Sequence, residues 1–470
     1  MAAADRYRME RQDVSSRQAA DAPACVPDVQ SMARGACPSL SAPMATGDGL
    51  LVRLRPTTPG LTIVQFRALA EAADRHGNGL IEITARGNLQ LRGMTTDSMA
   101  GLAADIDRAG IVPESGVAIE VPPLSGLDSL EIADARHMAM RLRLAIAALD
   151  PQPKLAPKLA IIIDGGGRLT LDAISADIRL RAAKADSGST VWSLAIGGTA
   201  QTAKALASLA TEQAVPAIIG LLKTLALLGP NARGRDLDAA SLRSRFPSMQ
   251  DSAFSAARRH VSPLGIHRLG DSSLALGLRL SFGQIHARDI LNFLDITEAA
   301  GANEIRTAPE HALLVLGLDD GAVQDVQRIA VNHGFRTCAD DPSNDIDVCS
   351  GAGACASAFY ATKSAAVDLL DMAPLLLDGS LTVHLSGCRK GCAHPGKAAL
   401  TIVGAPLGYG IVVNGSASSE PMAYIGKQEL KSVLARMNRL VRNNKGAGES
   451  AEDCLTRLGA DAVVTALRQG

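Results

Sequence analysis

Residues 49–93 read GLLVRLRPTTPGLTIVQFRALAEAADRHGNGLIEITARGNLQLRG, and their periodicities decide the fold. GLLVRLRP reads as a strand, TIVQFRALAEAADRHG as an amphipathic helix ending at Gly77, and GLIEITARGNLQLRG as strand, turn and strand. SMAGLAADIDRAG (98–110) follows as a second helix. The same order returns downstream. SLALGLRLSFGQ (273–284) reads as a strand, ARDILNFLDITEAAG (287–301) as a helix, EIRTAPEHALLVLGL (304–318) as a strand pair and AVQDVQRIAVNHGF (322–335) as a helix. Arg55 and Gly93 recur as Arg279 and Gly317, both offset by 224 positions. A matched spacing inside a matched element order predicts a duplicated α+β unit.

Each unit is followed by a longer segment. After the first come helix-like DARHMAMRLRLAIAAL and strand-like KLAIIIDGGGRLTLD. After the second come a cysteine-rich stretch, GKAALTIVGAPLGYGIVVNG and two helices. The predicted architecture is two repeats of small unit plus larger lobe, related by pseudo-twofold symmetry. Its boundaries are a mobile arm over 1–43, small units at 44–110 and 261–335, and lobes at 111–260 and 336–470. Ligands in such folds commonly sit where halves meet.

At 470 residues the chain is long enough for two or three domains. Its 47 basic and 48 acidic residues nearly cancel, which argues against nucleic acid as a partner. The longest apolar run, VPAIIGLLKTLALLG (215–229), contains Lys223 and is too short to span a bilayer, so no membrane partner is expected. The N-terminus lacks the apolar core of a secretory signal. A cytoplasmic protein with reduced thiols is the expectation.

Cys25, Cys37, Cys338 and Cys454 are scattered and read as small hydrophobes or incidental thiols. The other four pair up, in DVCSGAGACASA (347–358) and HLSGCRKGCAHP (384–395). Cys349-x5-Cys355 falls outside the usual zinc spacings, although four thiolates around one zinc stay open. A four-iron, four-sulfur cluster suits the pattern better, because small flanking residues let backbone approach the sulfides. GCAHPGKA imitates a phosphate loop but has Ala398 where a hydroxyl is needed. DGGGRLT (164–170) lacks dinucleotide spacing and reads as a hairpin turn. With no nucleotide motif, reducing equivalents would come from an external donor.

Arg53 and Arg55 alternate along one strand; Arg86, Asn88, Gln90 and Arg92 do so along the next segment. Such a face could recognise carboxylates through guanidinium forks, or simply be a solvated outer face. Lys158, in LAPKLAIIID, is a lone lysine entering a strand.

Together these residues resemble the sulfite and nitrite reductase family. The shared marks are C-x5-C followed by C-x3-C, the duplication, and a strand arginine followed by T-x-R-x-x-x-Q, here Thr84, Arg86 and Gln90. The resemblance covers roughly residues 44–470 and implies duplicated ferredoxin-like half-domains with two α/β lobes. It implies a [4Fe-4S] cluster on Cys349, Cys355, Cys388 and Cys392, the last of which bridges to siroheme iron in the reductases. Three departures select the branch. Ala160 replaces the second cation of a K-x-K pair begun by Lys158, PPLSGLDSLEIADAR replaces an R-N motif, and GCRKGC carries Lys390 where asparagine is usual.

What remains is similar to the cobalamin-pathway branch of the family, on GDGLLVRLRP, RHGNG, TARGNLQLRG, KLAIIIDGGG and GCRKGCAHP. That likeness implies precorrin-3A and O2 as substrates, hydroxylation at C20 with lactone formation, and no siroheme. Arg53, Arg86, Gln90 and Lys158 are then the expected contacts to the carboxylated macrocycle. The branch is also associated with a mononuclear non-haem iron, for which His76, His384 and His394 are candidate ligands. The alternative is a ferredoxin-dependent sulfite or nitrite reductase with siroheme.

Overall fold

The computed structural model describes residues 38–244, 258–270 and 273–468. Most of the arm expected over 1–43, with Cys25 and Cys37, lies outside the described residues. Two compact units divide the chain. One contains residues 50–337; the other contains 45–49 together with the chain from Cys338 onward.

Within the first unit, the two small repeats are two antiparallel sheets that exchange edge strands. In one sheet Gly49–Leu54 pairs with Leu89–Met94, which pairs with Leu80–Ile83, which pairs with Gln284–His286 from the second repeat. In the other, Leu274–Leu280 pairs with Ala312–Leu318, then Glu304–Ala308, then Leu61–Thr62 from the first repeat. Each lent strand leads directly into a helix, Ile63–His76 or Ala287–Ala299. The first helix starts in a capping box. The Gln65 N–H donates to the Thr62 hydroxyl at 3.2 Å, and Gln65 Oε1 accepts from the Thr62 N–H at 3.1 Å.

One core serves both sheets. Val52, Leu54, Ile81, Leu89 and Leu91 join Leu276, Leu278, Ile305 and Val315, with Phe66 and Phe293 from the helices. Arg67 ties the two helices at the surface, donating to Asp295 at 2.5 Å and Glu298 at 2.7 Å.

The first lobe carries a five-stranded sheet of Ala118–Glu120, Ala160–Asp164, Ile178–Lys184, Thr190–Ile196 and Lys204–Ala210. Its first two pairings are parallel and its last two antiparallel. This corrects the hairpin reading of DGGGRLT. Ala160–Asp164 is parallel to both neighbours, and Gly165–Gly167 form its exit toward a crossover. Glycine is required there by crowding: a Cβ on Gly165 would lie 2.1 Å from the Ala133 carbonyl. The apolar run near 215–229 is the helix Thr211–Leu228, long and apolar enough to pass as a membrane span. It buries Val215, Ile218, Leu221, Leu222 and Leu225 in the lobe core with Trp192.

The second unit repeats that sheet order. Ile346–Val348, Val383–Ser386 and Ala398–Ala405 pair in parallel, then Gly408–Gly415 and Ala423–Gly426 add antiparallel. Helices Thr362–Met372, Leu430–Asn444 and Ala451–Arg468 complete it. Cys454 is buried and Cys338 exposed.

Candidate functional site

Two chemical groupings stand out, one in each unit.

The first is a polar row across the first small sheet. Register places Arg53 opposite Gln90, Gln90 opposite Glu82, and Glu82 opposite Gln284. Arg53 donates to Gln90 Oε1 from Nε at 3.1 Å and from Nη2 at 2.7 Å. Gln90 Nε2 donates to Glu82 Oε2 at 2.8 Å, Arg92 Nη1 donates to the same oxygen at 3.2 Å, and Gln284 donates to Oε1. Glu82, Gln90 and Arg92 are buried, so this part of the face is not a solvated exterior. Buried polar groups persist when they satisfy one another, and this row does. Glu82 and Gln284 were not singled out from sequence, because their partners lie on strands that only the tertiary pairing brings together.

The remaining expected substrate contacts sit nearer the start of the first lobe's sheet. Arg86 reaches Glu120 at 2.8 Å and the Ser175 carbonyl at 2.9 Å. Lys158 precedes Ala160–Asp164, and its carbonyl accepts from Arg233 Nη2 at 3.0 Å. Arg233 also forks onto Asp177 through two 2.8 Å bonds. Asp177 in turn accepts the Ala160 N–H at 2.9 Å, which fixes the strand entry. Arg53 and Gln90 thus touch directly, while Arg86 and Lys158 meet other partners.

The second grouping is the four paired cysteines, all in the second unit. Val383–Ser386 delivers its chain end to Gly387 and Cys388. The Gly387 N–H donates to Cys349 Sγ at 3.1 Å, and a Cβ on Gly387 would lie 2.6 Å from Ala358 Cβ. The Cys388 thiol is pushed up by burial first, then by Cys355, Cys392 and Cys349, while the Lys390 N–H opposes the rise. Gly351, Gly353 and Gly391 take positive φ of 75°, 92° and 59° along these loops. Gly47 seals the Cys355 loop: its N–H donates to the Ala354 carbonyl at 3.3 Å, and a Cβ there would meet the Ala356 nitrogen at 3.0 Å. Tyr360, buried and edge-on to Tyr409, donates to the Ile402 carbonyl at 3.0 Å.

Of the candidate histidines, His76 is bound at 2.9 Å to Asp105, whose carboxyl is held down to about 2 by His76, Arg108 and Arg75. His384 and His394 come together, with ring centroids 5.6 Å apart. His394 Nδ1 meets Asp347 at 2.7 Å, which raises its pKa. His384 is fully buried without a hydrogen-bond partner on either ring nitrogen, and burial lowers it to about 4. Among the described residues, no three His, Cys, Asp or Glu side chains gather tightly enough to hold a single metal ion.

A duplicated half-domain pair with a cysteine-bearing lobe defines an enzyme of the nitrite and sulfite reductase architecture. The family model for the nitrite/sulfite reductase ferredoxin-like half domain matches residues 42–109. The structure of the Mycobacterium tuberculosis NirA protein superposes with a TM-score of 0.71 at 18% identity, covering 88% of this chain and 84% of that one. A ferredoxin–nitrite reductase of Synechococcus elongatus is 24% identical over 75% of this chain and 78% of its own. A precorrin-3B synthase of Sinorhizobium sp is 52% identical over 94% of this chain and 96% of its own. The chain belongs to the precorrin-3B synthase family.

Proposed function

We propose that this enzyme oxidises precorrin-3A with O2, hydroxylating C20 and closing a lactone from the ring A acetate onto C1, as a step of aerobic cobalamin biosynthesis in the cytoplasm. One oxygen atom enters the substrate and the other leaves as water, so the reaction takes two electrons from an external reductase or ferredoxin-like donor and two protons from solvent. The observation that carries this reading is the 52% identity to a precorrin-3B synthase over nearly the whole of both chains.

Cys349, Cys355, Cys388 and Cys392 would hold a [4Fe-4S] cluster. The C-x5-C and C-x3-C spacings with small flanking residues support a cluster over a single zinc. Bound there, the cluster supplies one-electron transfer. The cradle fits it: glycine turns and the Gly387 N–H on Cys349 suit thiolates carrying negative charge. The mononuclear iron finds no ligand set among the described residues, and we assign no step to it.

The chain's own side chains do the positioning. Arg53, oriented by Gln90 and through it by Glu82, would meet a substrate carboxylate, and Arg86 and Lys158 would meet others. The substrate tetrapyrrole would take the place that siroheme fills in the reductases.

The test is turnover of anaerobically purified protein with precorrin-3A, a reductant and labelled oxygen gas. The reading expects one labelled oxygen in the product, a new lactone and no stoichiometric siroheme. Bound siroheme with reduction of sulfite or nitrite would replace it with the reductase alternative.

A further inference from the structure

Lys390 stands between the last two cysteines. Its side chain turns across to the other cysteine loop, where Nζ donates to Ser357 Oγ at 3.0 Å. Ser357 lies two residues beyond Cys355. Both Lys390 and Ser357 are half-buried. The neighbouring cation behaves differently. Arg389 is exposed and turns to the Ser418 carbonyl at 2.8 Å and to Glu420 at 3.6 Å. Two adjacent cations thus point apart, one toward surface acceptors and one toward the other cysteine loop.

We infer that Lys390 is a positioning residue that clamps the two cysteine loops together and holds a fixed positive charge that raises the reduction potential of the group they bind. The inference rests on the reading that the four cysteines carry an iron–sulfur cluster. Reduction adds one electron and no proton, so the cluster becomes more negative. A nearby ammonium, shielded from bulk water, stabilises the reduced form more than the oxidised form. A hydroxyl acceptor suits this role. Ser357 fixes the direction of the ammonium.

The experiment is a mediated redox titration of the anaerobic holoprotein, read by paramagnetic resonance, with the electron supplied by the electrode. Iron and sulfide are counted on the same samples, with about four of each expected. Native protein is compared with Lys390→Met, Lys390→Arg and Ser357→Ala. A lower midpoint in Lys390→Met, a smaller drop in Ser357→Ala and a near-native value in Lys390→Arg are expected. An intact cluster with an unchanged midpoint in Lys390→Met overturns the inference. Should Lys390→Met assemble no cluster, Ser357→Ala decides: a lowered midpoint supports the role and an unchanged one overturns it. Native protein without iron and sulfide overturns the cluster reading, and this inference with it.

Discussion

The two small sheets share one design and differ on one face. Toward the common core both are apolar. On the opposite face, the row Arg53, Gln90 and Glu82 of the first sheet corresponds by pairing to Gly277, Leu314 and Arg306 of the second. Leu314 and Leu316 are buried under Leu124, Leu169, Leu264 and Leu269. Arg306 is sealed by the Pro123 and Ser125 carbonyls, both at 3.1 Å, and by Glu304 at 2.7 Å. The second sheet has become structure on both faces. The first keeps buried polar groups, which stabilise less than well-packed apolar ones unless something uses them.

The lobes divide in the same way. Val383–Ser386 runs out into SGCRKGC, whereas Ala160–Asp164 runs out into GGG. At the end of that strand the first lobe has ion pairs in place of thiols. Asp164 and Asp172 hold Arg258, and Asp172 accepts from Arg181 at 2.7 Å. Duplication therefore left one repeat with the buried polar row and the other with the cysteine-bearing lobe.

The largest expected effect separates the lobes. Cys349→Ala, Cys355→Ala or Cys388→Ala should each abolish the broad visible absorbance and most of the bound iron. Asp172→Ala in the other lobe should leave the spectrum unchanged while costing roughly 3–5 kcal/mol of stability, since it strands buried guanidinium groups. Retained absorbance in all three cysteine variants would end the cluster assignment.

A second contrast breaks or sharpens the difference between the sheets. Leu314→Gln puts an amide into the apolar layer of the second sheet and should cost roughly 2–5 kcal/mol in urea unfolding. Gln90→Leu, the reciprocal change, should cost about 1–2 kcal/mol while weakening tetrapyrrole binding. Equal destabilisation by the two would mean the polar row is only structural.

The smallest effect is a pH slope. His267, in Gly265–Arg268 of the second sheet, is buried, and burial lowers its pKa while its ring meets the Pro263 carbonyl at 2.9 Å. The native state resists a proton that the unfolded chain accepts near pH 6.5. Its contribution is complete above that pH and shrinks as pH falls below it. His267→Gln, which can still donate to Pro263, should flatten the acid side of a stability–pH curve. An identical curve would assign the slope to other groups.

The duplication was legible in the sequence because strand and helix periods are local, and Arg55/Gly93 against Arg279/Gly317 fixed the offset. The exchanged edge strands were not. Leu61–Thr62 and Gln284–His286 are too short to show any period, and their partners lie more than a hundred residues away. Triple glycine after Asp164 misled because a hairpin turn and a crowded exit from a parallel strand demand the same residue. The cysteine pairs were legible as motifs. Gly47 was not, since its requirement comes from the Cys355 loop lying against it. Arg86 was legible as a cation but not as the partner of Glu120, which belongs to a different sheet.

If the polar row of the first sheet recognises the carboxylates of the macrocycle, as proposed, it should do so independently of the cysteines. The direct measurement is an anaerobic binding titration of native and Arg53→Ala protein with precorrin-3A, with iron content matched. The account predicts affinity weakened by about tenfold to a hundredfold, the value of one charge-assisted contact, with iron unchanged. Unchanged affinity in Arg53→Ala would contradict it and return the row to a structural role.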